Sequence, residues 1–236
     1  MELYRFLQQQ GFGSRKECRK LIEYGLVEIN GEQADNWRAK VQPDALHSLS
    51  VDDEPWQILR GPVYLMLNKE ANTETSHKPI HHPSVYSRLP LPFNNLGVSA
   101  VGRLDADTTG LLLLATDGQF IHALTSPKKQ VPKCYRVTLK HAANSTLLSQ
   151  LQSGVLLRDE DETLAVDAVL QVDEHTIHMT ISQGRYHQVK RMVAAAGNRV
   201  EALHRIAIGP LDLGELAPGQ WRFLTPAELA ALGFAG

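Results

Sequence analysis

Val101-Gly102-Arg103-Leu104-Asp105-Ala106-Asp107-Thr108-Thr109-Gly110 runs straight into Leu111-Leu112-Leu113-Leu114-Ala115. The apolar run reads as a strand buried on both faces. Two carboxylates, an arginine and two hydroxyls sit between the glycines just before it. Polar groups packed against such a strand are costly to bury unless they are paired. Arg103, with Thr108 or Thr109, is the expected partner of one carboxylate, which leaves the other aimed into a cleft. The same stretch also reads as a turn whose aspartates cap the backbone. A short motif does not by itself choose between the two.

The whole chain narrows the choice. Its 236 residues hold one large domain, or a small one and a medium one. The apolar fraction is ordinary and no apolar run has membrane-spanning length, so the expectation is a soluble globular protein with no membrane partner. Glu2 and Arg5 among polar residues argue against a secretory signal. Cys18 and Cys134 are the only cysteines and lie in different segments, which fits a reducing, cytoplasmic compartment.

A formal net charge of −2 argues weakly against a nucleic-acid partner. The distribution argues the other way. Arg15, Lys16, Arg19 and Lys20 face only Glu17, and Lys128, Lys129, Lys133, Arg136 and Lys140 have no acidic neighbour between them. Arg185, Lys190, Arg191, Arg199 and Arg205 are opposed only by Glu201, while Asp159 to Glu162 read as a solvated acidic loop. Three local basic clusters suit a surface that tracks phosphates.

Leu3, Phe6 and Leu7 have helical spacing, ended by Gly11-Phe12-Gly13. Ser14 and Glu17 form a capping box for a second helix anchored by Leu21 and Ile22. Its first two turns carry Arg15, Lys16, Arg19 and Lys20. Val27-Glu28-Ile29-Asn30-Gly31 is a strand entering a hairpin turn. Gly61-Pro62 marks a domain boundary. Residues 70–97 hold Pro79, Pro83, Pro90 and Pro92 without periodicity and read as long loop. His77, His81 and His82 lie there, without the further ligands at defined spacing that a metal requires. Downstream, helices are expected over 120–124, 147–153 and 189–196 and at the terminal Glu228–Leu232, with antiparallel strands over 165–172 and 176–181.

Gly102-Arg103-Leu104-Asp105, followed by Thr108-Thr109-Gly110-Leu111-Leu112, resembles the catalytic motif of the pseudouridine synthases, nearest to the branch acting on ribosomal RNA. In that family the aspartate is the catalytic carboxylate, here Asp105. The helix, basic helix and hairpin resemble the RNA-binding domain named after ribosomal protein S4, with Tyr4 where an acidic residue is usual. Tyr64–Lys69 resembles the family's first motif, although Glu70 replaces its proline. Lys133-Cys134-Tyr135-Arg136-Val137 is similar to a strand whose tyrosine lies under the target base. An aromatic face there stacks on a flipped base for about 1–3 kcal/mol. Read from the residues alone, Tyr135 is a core tyrosine with its hydroxyl satisfied. Gly184-Arg185-Tyr186-His187-Gln188-Val189-Lys190-Arg191-Met192 resembles the motif whose basic residue pairs with the aspartate, here Lys190. Leu203-His204-Arg205-Ile206 with Gly209 resembles the last motif, whose leucine packs beside the uracil.

The resemblance implies an α+β fold: an S4-like RNA-binding domain over 1–59, then a catalytic domain over 60–236 on a mixed, mostly antiparallel sheet. It implies isomerisation of a uridine to pseudouridine in 16S ribosomal RNA by a monomer, with a partly assembled small subunit as partner. Asp105 acts at the ribose C1′ or C2′, and Tyr135, Leu203 and Lys190 complete the pocket. Arg103, Lys133, Arg185 and Arg191 hold RNA, as do Arg15, Lys16, Arg19 and Lys20. An isomerisation needs no metal and no cofactor. Three other readings stay open. One is a 23S-directed synthase, and a second is an assembly factor that has lost catalysis, favoured by Glu70. The third is a hydrolase pairing Asp105 with Asp107, which two-residue spacing on an extended segment would place on one side.

Overall fold

The computed structural model describes residues 1–158 and 160–234. The chain folds as two units, one formed by Met1–Val63 with Leu89–Ser99 and the other by Tyr64–Arg88 with Ala100–Gly236. The first change of unit falls beside Gly61-Pro62, where the sequence carries its turn signal. The second crossing carries no such signal. Within the expected loop lie a 3-10 turn over Val85–Arg88 and a helix over Leu91–Asn95. Phe93 is buried and meets Trp56 at 5.1 Å between ring centroids, and Asn95 Nδ2 donates to Gly11 O at 2.7 Å. One aromatic among prolines has no periodicity to reveal this return to the first unit.

In the first unit, helix Leu3–Gln9 buries Leu3, Tyr4, Phe6 and Leu7. Tyr4 joins the core, edge-on to Trp37 at 5.7 Å. The capping box forms: Ser14 N donates to Glu17 Oε2 at 2.7 Å, and Glu17 N to Ser14 Oγ at 3.4 Å. Helix Arg15–Glu23 then buries Cys18 and Ile22 against the first helix and leaves its basic face outside. Asn30 and Gly31 take φ of 54° and 82° between strands Val27–Ile29 and Glu32–Gln33. Asn-Gly supplies the two positive φ angles that such a tight hairpin needs.

The second unit is built on one twisted sheet. Its main path runs Ala168–Gln171, Thr176–Ile181, Lys133–Leu139, Val200–Ile208, Thr109–Ala115, Tyr64–Lys69 and Trp221–Phe223. Neighbours on this path are antiparallel except Val200–Ile208 with Thr109–Ala115, which are parallel. The expected mixed, mostly antiparallel sheet is therefore present. Leu111–Ala115 are completely buried, as an apolar run at the sheet centre demands. Gly110 has φ of +100°, and a Cβ there would lie 2.3 Å from Arg205 O. Only glycine fits that crossing. Helices form over Gly118–Thr125, Ser145–Ser153, Gln188–Ala195 and Pro226–Ala231, close to their expected positions. Among the described residues no helix is long and apolar enough to cross a membrane.

Candidate active site

The loop before Thr109–Ala115 is fixed from beneath by its backbone. Thr108 N donates to Asp105 O at 3.1 Å, closing a turn over 105–108. Lys69 is 1% exposed, and its Nζ donates to Glu70 O (3.0 Å), Ala106 O (3.1 Å) and Thr108 O (2.8 Å). Burial pushes this ammonium down to about 8, against the pull of Asp107 and Asp105. Asn72 N donates to Ala106 O at 2.8 Å and Thr75 Oγ1 to Leu104 O at 3.0 Å. Thr73 Oγ1 holds Glu70 O at 2.8 Å, and the Glu70 carboxylate pairs with Arg88 at 2.7 Å. These bonds order the loop that follows Lys69.

Both carboxylates of the loop converge on Lys190. Its Nζ lies 3.2 Å from Asp105 Oδ2 and 2.7 and 2.9 Å from the two oxygens of Asp107. His187 Nε2 is 3.2 Å from Asp105 Oδ1. Burial works against the charges of Asp107 and Lys190, but their mutual hydrogen bond and attraction outweigh it. Asp107 is held below the usual carboxylate range and Lys190 above the usual ammonium range. The turn brings the carboxylates together, not the extended segment expected from the sequence. Arg103 bonds to neither: it is exposed at the cleft rim. Thr109 Oγ1 instead meets His204 Nδ1 at 2.8 Å, and Thr108 Oγ1 is buried without a partner among the described residues.

Helix Gln188–Ala195 presents Lys190 by burying Val189, Met192 and Val193 against the sheet. His187 begins it in the left-handed region, φ 47° and ψ 33°, which is costly for a residue with a Cβ. The exposed Tyr186 ring stacks on His187 at 3.9 Å.

A cleft of about 210 Å³ opens beside Asp105. Tyr135, Leu203 and Arg205 share its lining with Arg103, Lys133 and Lys190. Tyr135 is 8% exposed, and its hydroxyl has no hydrogen-bond partner among the described residues, unlike a satisfied core tyrosine. Several basic residues expected to face RNA are instead engaged by the protein. Lys133 Nζ donates to Val131 O at 2.7 Å and, more weakly, to Ser182 O at 3.4 Å, and burial with the nearby Arg205 charge lowers its affinity for a proton. Arg185 pairs with Glu160, which Arg191 also approaches at 3.9 Å. Arg191 Nη1 donates to Tyr186 O at 3.3 Å. Glu160 is thus drawn out of the expected solvated acidic loop, whose Asp159 lies outside the described residues. Arg205 is also withdrawn from its basic cluster, buried in the sheet.

In the first unit, Lys16 and Lys20 are exposed on the same helix, while Arg19 is half-buried. Arg19 lies 4.1 Å from the Trp37 ring centroid and 3.3 Å from Glu23, and Arg15 lies 5.0 Å from Tyr4. His77 stacks on Tyr86 at 3.7 Å, while the His81 and His82 amides donate to Glu74. Among the described residues no group of three or more His, Cys, Asp and Glu side chains is placed to hold a metal. Lys69, Thr75 and His187 are the site residues that sequence reasoning missed. Lys69 gave one usable signal, a charge closing the buried run Leu65-Met66-Leu67.

The family model described as RNA pseudouridylate synthase matches residues 63–195, and the S4 domain model matches residues 3–45. Ribosomal small subunit pseudouridine synthase A of Yersinia pestis is 42% identical over 235 residues, covering 99% of this chain and 98% of that protein. Its namesake in Escherichia coli strain K12 is 41% identical over 234 residues, covering 98% and 100%. A solved structure described as a pseudouridylate synthase matches with a TM-score of 0.70 at 36% identity, covering 98% of this chain and 99% of that one. With two family models in order along it and relatives matched almost end to end, the chain belongs to the RNA pseudouridylate synthase family.

Proposed function

We propose that this protein isomerises one uridine of 16S ribosomal RNA to pseudouridine, with Asp105 as the catalytic carboxylate. One observation carries the reading: Asp105 is held by Lys190 and His187 at a cleft that Tyr135 and Leu203 line. The names of the Yersinia pestis and Escherichia coli relatives support the small subunit as target. Uridine must leave its stack to expose the glycosidic bond, at a cost of a few kcal/mol. Tyr135 stacks on the extruded base and Leu203 walls it. Asp105 acts on the ribose at C1′ or C2′, and the uracil detaches, rotates and rejoins through carbon. Bonds broken equal bonds formed, so the change is neutral in mass and in redox state.

Lys190 keeps Asp105 oriented. Arg103 at the rim holds the distorted backbone, while Arg15, Lys16, Arg19 and Lys20 hold phosphates from the first unit. Lys133, Arg185 and Arg191 support the cleft wall through their protein partners more than they grip RNA. The setting is the cytoplasm, and the substrate is a partly assembled small subunit bound by a monomer. Pseudouridine mapping tests the target, comparing ribosomal RNA from a deletion strain complemented with wild type or Asp105→Asn. One 16S site that returns only with wild type supports the reading. A 23S site would move the target, and release of free uracil would mark a hydrolase.

A further inference from the structure

Arg205 is 3% exposed in the sheet of the second unit. Its Nε donates to Leu111 O at 2.8 Å, but its Nη2 is buried without a hydrogen-bond partner among the described residues. A desolvated guanidinium is costly unless its donors are met, and a leucine would serve packing alone better. Thr108, 1% exposed, repeats the pattern, with Oγ1 buried and unmet among the described residues. Both residues line the cleft that holds Asp105. Two unmet polar groups in one cleft mark a site that a ligand completes.

The register says which part of the ligand lies near Arg205. Arg205 stands directly opposite Tyr135 on the neighbouring strand, and Leu203 is two residues away on its own strand. Residues two apart on a strand point to one face, and opposite residues in neighbouring strands are side by side. Tyr135, Leu203 and Arg205 therefore form one patch of the cleft. A ring resting on Tyr135 and against Leu203 presents its edge to the guanidinium. Arginine has donors and no acceptor, so it suits a carbonyl and opposes an amino group.

We propose that Arg205 is a specificity residue that donates a hydrogen bond to a carbonyl oxygen of the uracil ring. The inference rests on the pseudouridine synthase reading of the cleft. Cytosine, with an amino group in place of the 4-carbonyl, is disfavoured by the same contact. A site built to hydrogen-bond one group discriminates strongly against an analogue that leaves its donors unmet.

The test uses single-turnover rates of wild type, Arg205→Met and Arg205→Lys. The RNAs carry uridine, 2-thiouridine or 4-thiouridine at the mapped target. Sulfur accepts hydrogen bonds poorly, so wild type should slow about tenfold on one of the two thio substrates, roughly the worth of one hydrogen bond. Arg205→Met should slow by a comparable factor on uridine and show no further penalty on that thio substrate. Arg205→Lys retains length and charge and should shrink the penalty, which keeps the test available if the methionine variant does not fold. Thio penalties that stay unchanged in the variants, or are absent in wild type, would overturn the contact. A salt dependence flattened by Arg205→Met with thio penalties intact would assign Arg205 to phosphate instead. Failure of wild type to form pseudouridine in unmodified RNA would overturn the reading of the site itself.

Discussion

The Lys190 ammonium lies closer to Asp107 than to Asp105, 2.7 Å from Asp107 Oδ1 against 3.2 Å from Asp105 Oδ2. One cation thus serves two carboxylates, and the more exposed of them takes the shorter bond. Removing the cation leaves two like charges on one turn with no shared partner. Lys190→Met should lower the single-turnover rate about 10²-fold, the scale of a misplaced reacting group. Lys190→Arg should be milder, since the charge survives although a fork replaces a point donor. Rates at saturating enzyme and affinities against salt decide. Weakened binding with an unchanged rate would make Lys190 a phosphate grip.

Asp107 is placed to hold Lys190, and under the proposed function it takes no part at the ribose. Asp107→Asn should keep activity within about tenfold of wild type, since an ammonium relieved of one carboxylate still has the other. The pH dependence follows from the sign of its shift. Asp107 binds its proton less readily folded than unfolded, so its contribution to stability is full above its ordinary value of 3.8 and is lost as pH falls through the lower folded value. Asp107→Asn should therefore flatten the acid end of the melting-temperature curve. Complete inactivation by Asp107→Asn would mean that the catalytic carboxylate had been misassigned.

Lys69 holds the loop from below through Glu70, Ala106 and Thr108 carbonyls. Lys69→Met removes one donor from each carbonyl, Thr73 Oγ1 still reaching Glu70 O and Asn72 N still reaching Ala106 O, and should cost about 1–3 kcal/mol. In wild type the folded value near 8 lies below the ordinary 10.5, so stability rises as pH climbs from about 8 to 10.5. By linkage that rise is about 3 kcal/mol. Denaturant melts of wild type and Lys69→Met across that range provide the check: the slope should vanish in the variant. An equal slope in both proteins would place the titration elsewhere.

In the first unit the four basic residues of helix Arg15–Glu23 are not equivalent. Arg19 is shared with Glu23 and Trp37, and Arg15 with Tyr4, whereas Lys16 is exposed. Lys16→Ala and Lys20→Ala should each reduce the magnitude of the salt slope of RNA binding by about 0.7–0.9. The single-turnover rate at saturation should stay unchanged. Point substitutions are cleaner than deleting residues 1–59, because Phe93 and Asn95 belong to the same unit and would lose Trp56 and Gly11. A salt slope untouched by both substitutions would remove this helix from the RNA path.

The sequence announced those parts of the fold whose signal is local. The run Leu111–Ala115, the Ser14–Glu17 box and the Asn30-Gly31 turn each state their conformation within a few residues. Strand Val200–Ile208 does not, because small and charged residues interrupt its apolar pattern and two register shifts break its pairing with Lys133–Leu139. Phe93 returns to the first unit for a tertiary reason that no periodicity carries. At the site, Asp105 and Lys190 were legible as motif residues. That Arg103 would stand aside, that Lys69 would underpin the turn, and that Arg205 would be buried depend on which strands become neighbours. Local chemistry assigned Arg205 to a surface cluster because arginine is usually exposed.

Under the proposed function, Asp105 is the group that acts on the ribose. Asp105→Asn keeps the shape and hydrogen-bonding capacity of the side chain and removes its charge. Pseudouridine formed in 16S ribosomal RNA in a single turnover, with RNA affinity measured alongside, tests this most directly. Asp105→Asn should form no detectable product and bind RNA with an affinity close to wild type. Substantial product from Asp105→Asn, with none from Asp107→Asn, would contradict it.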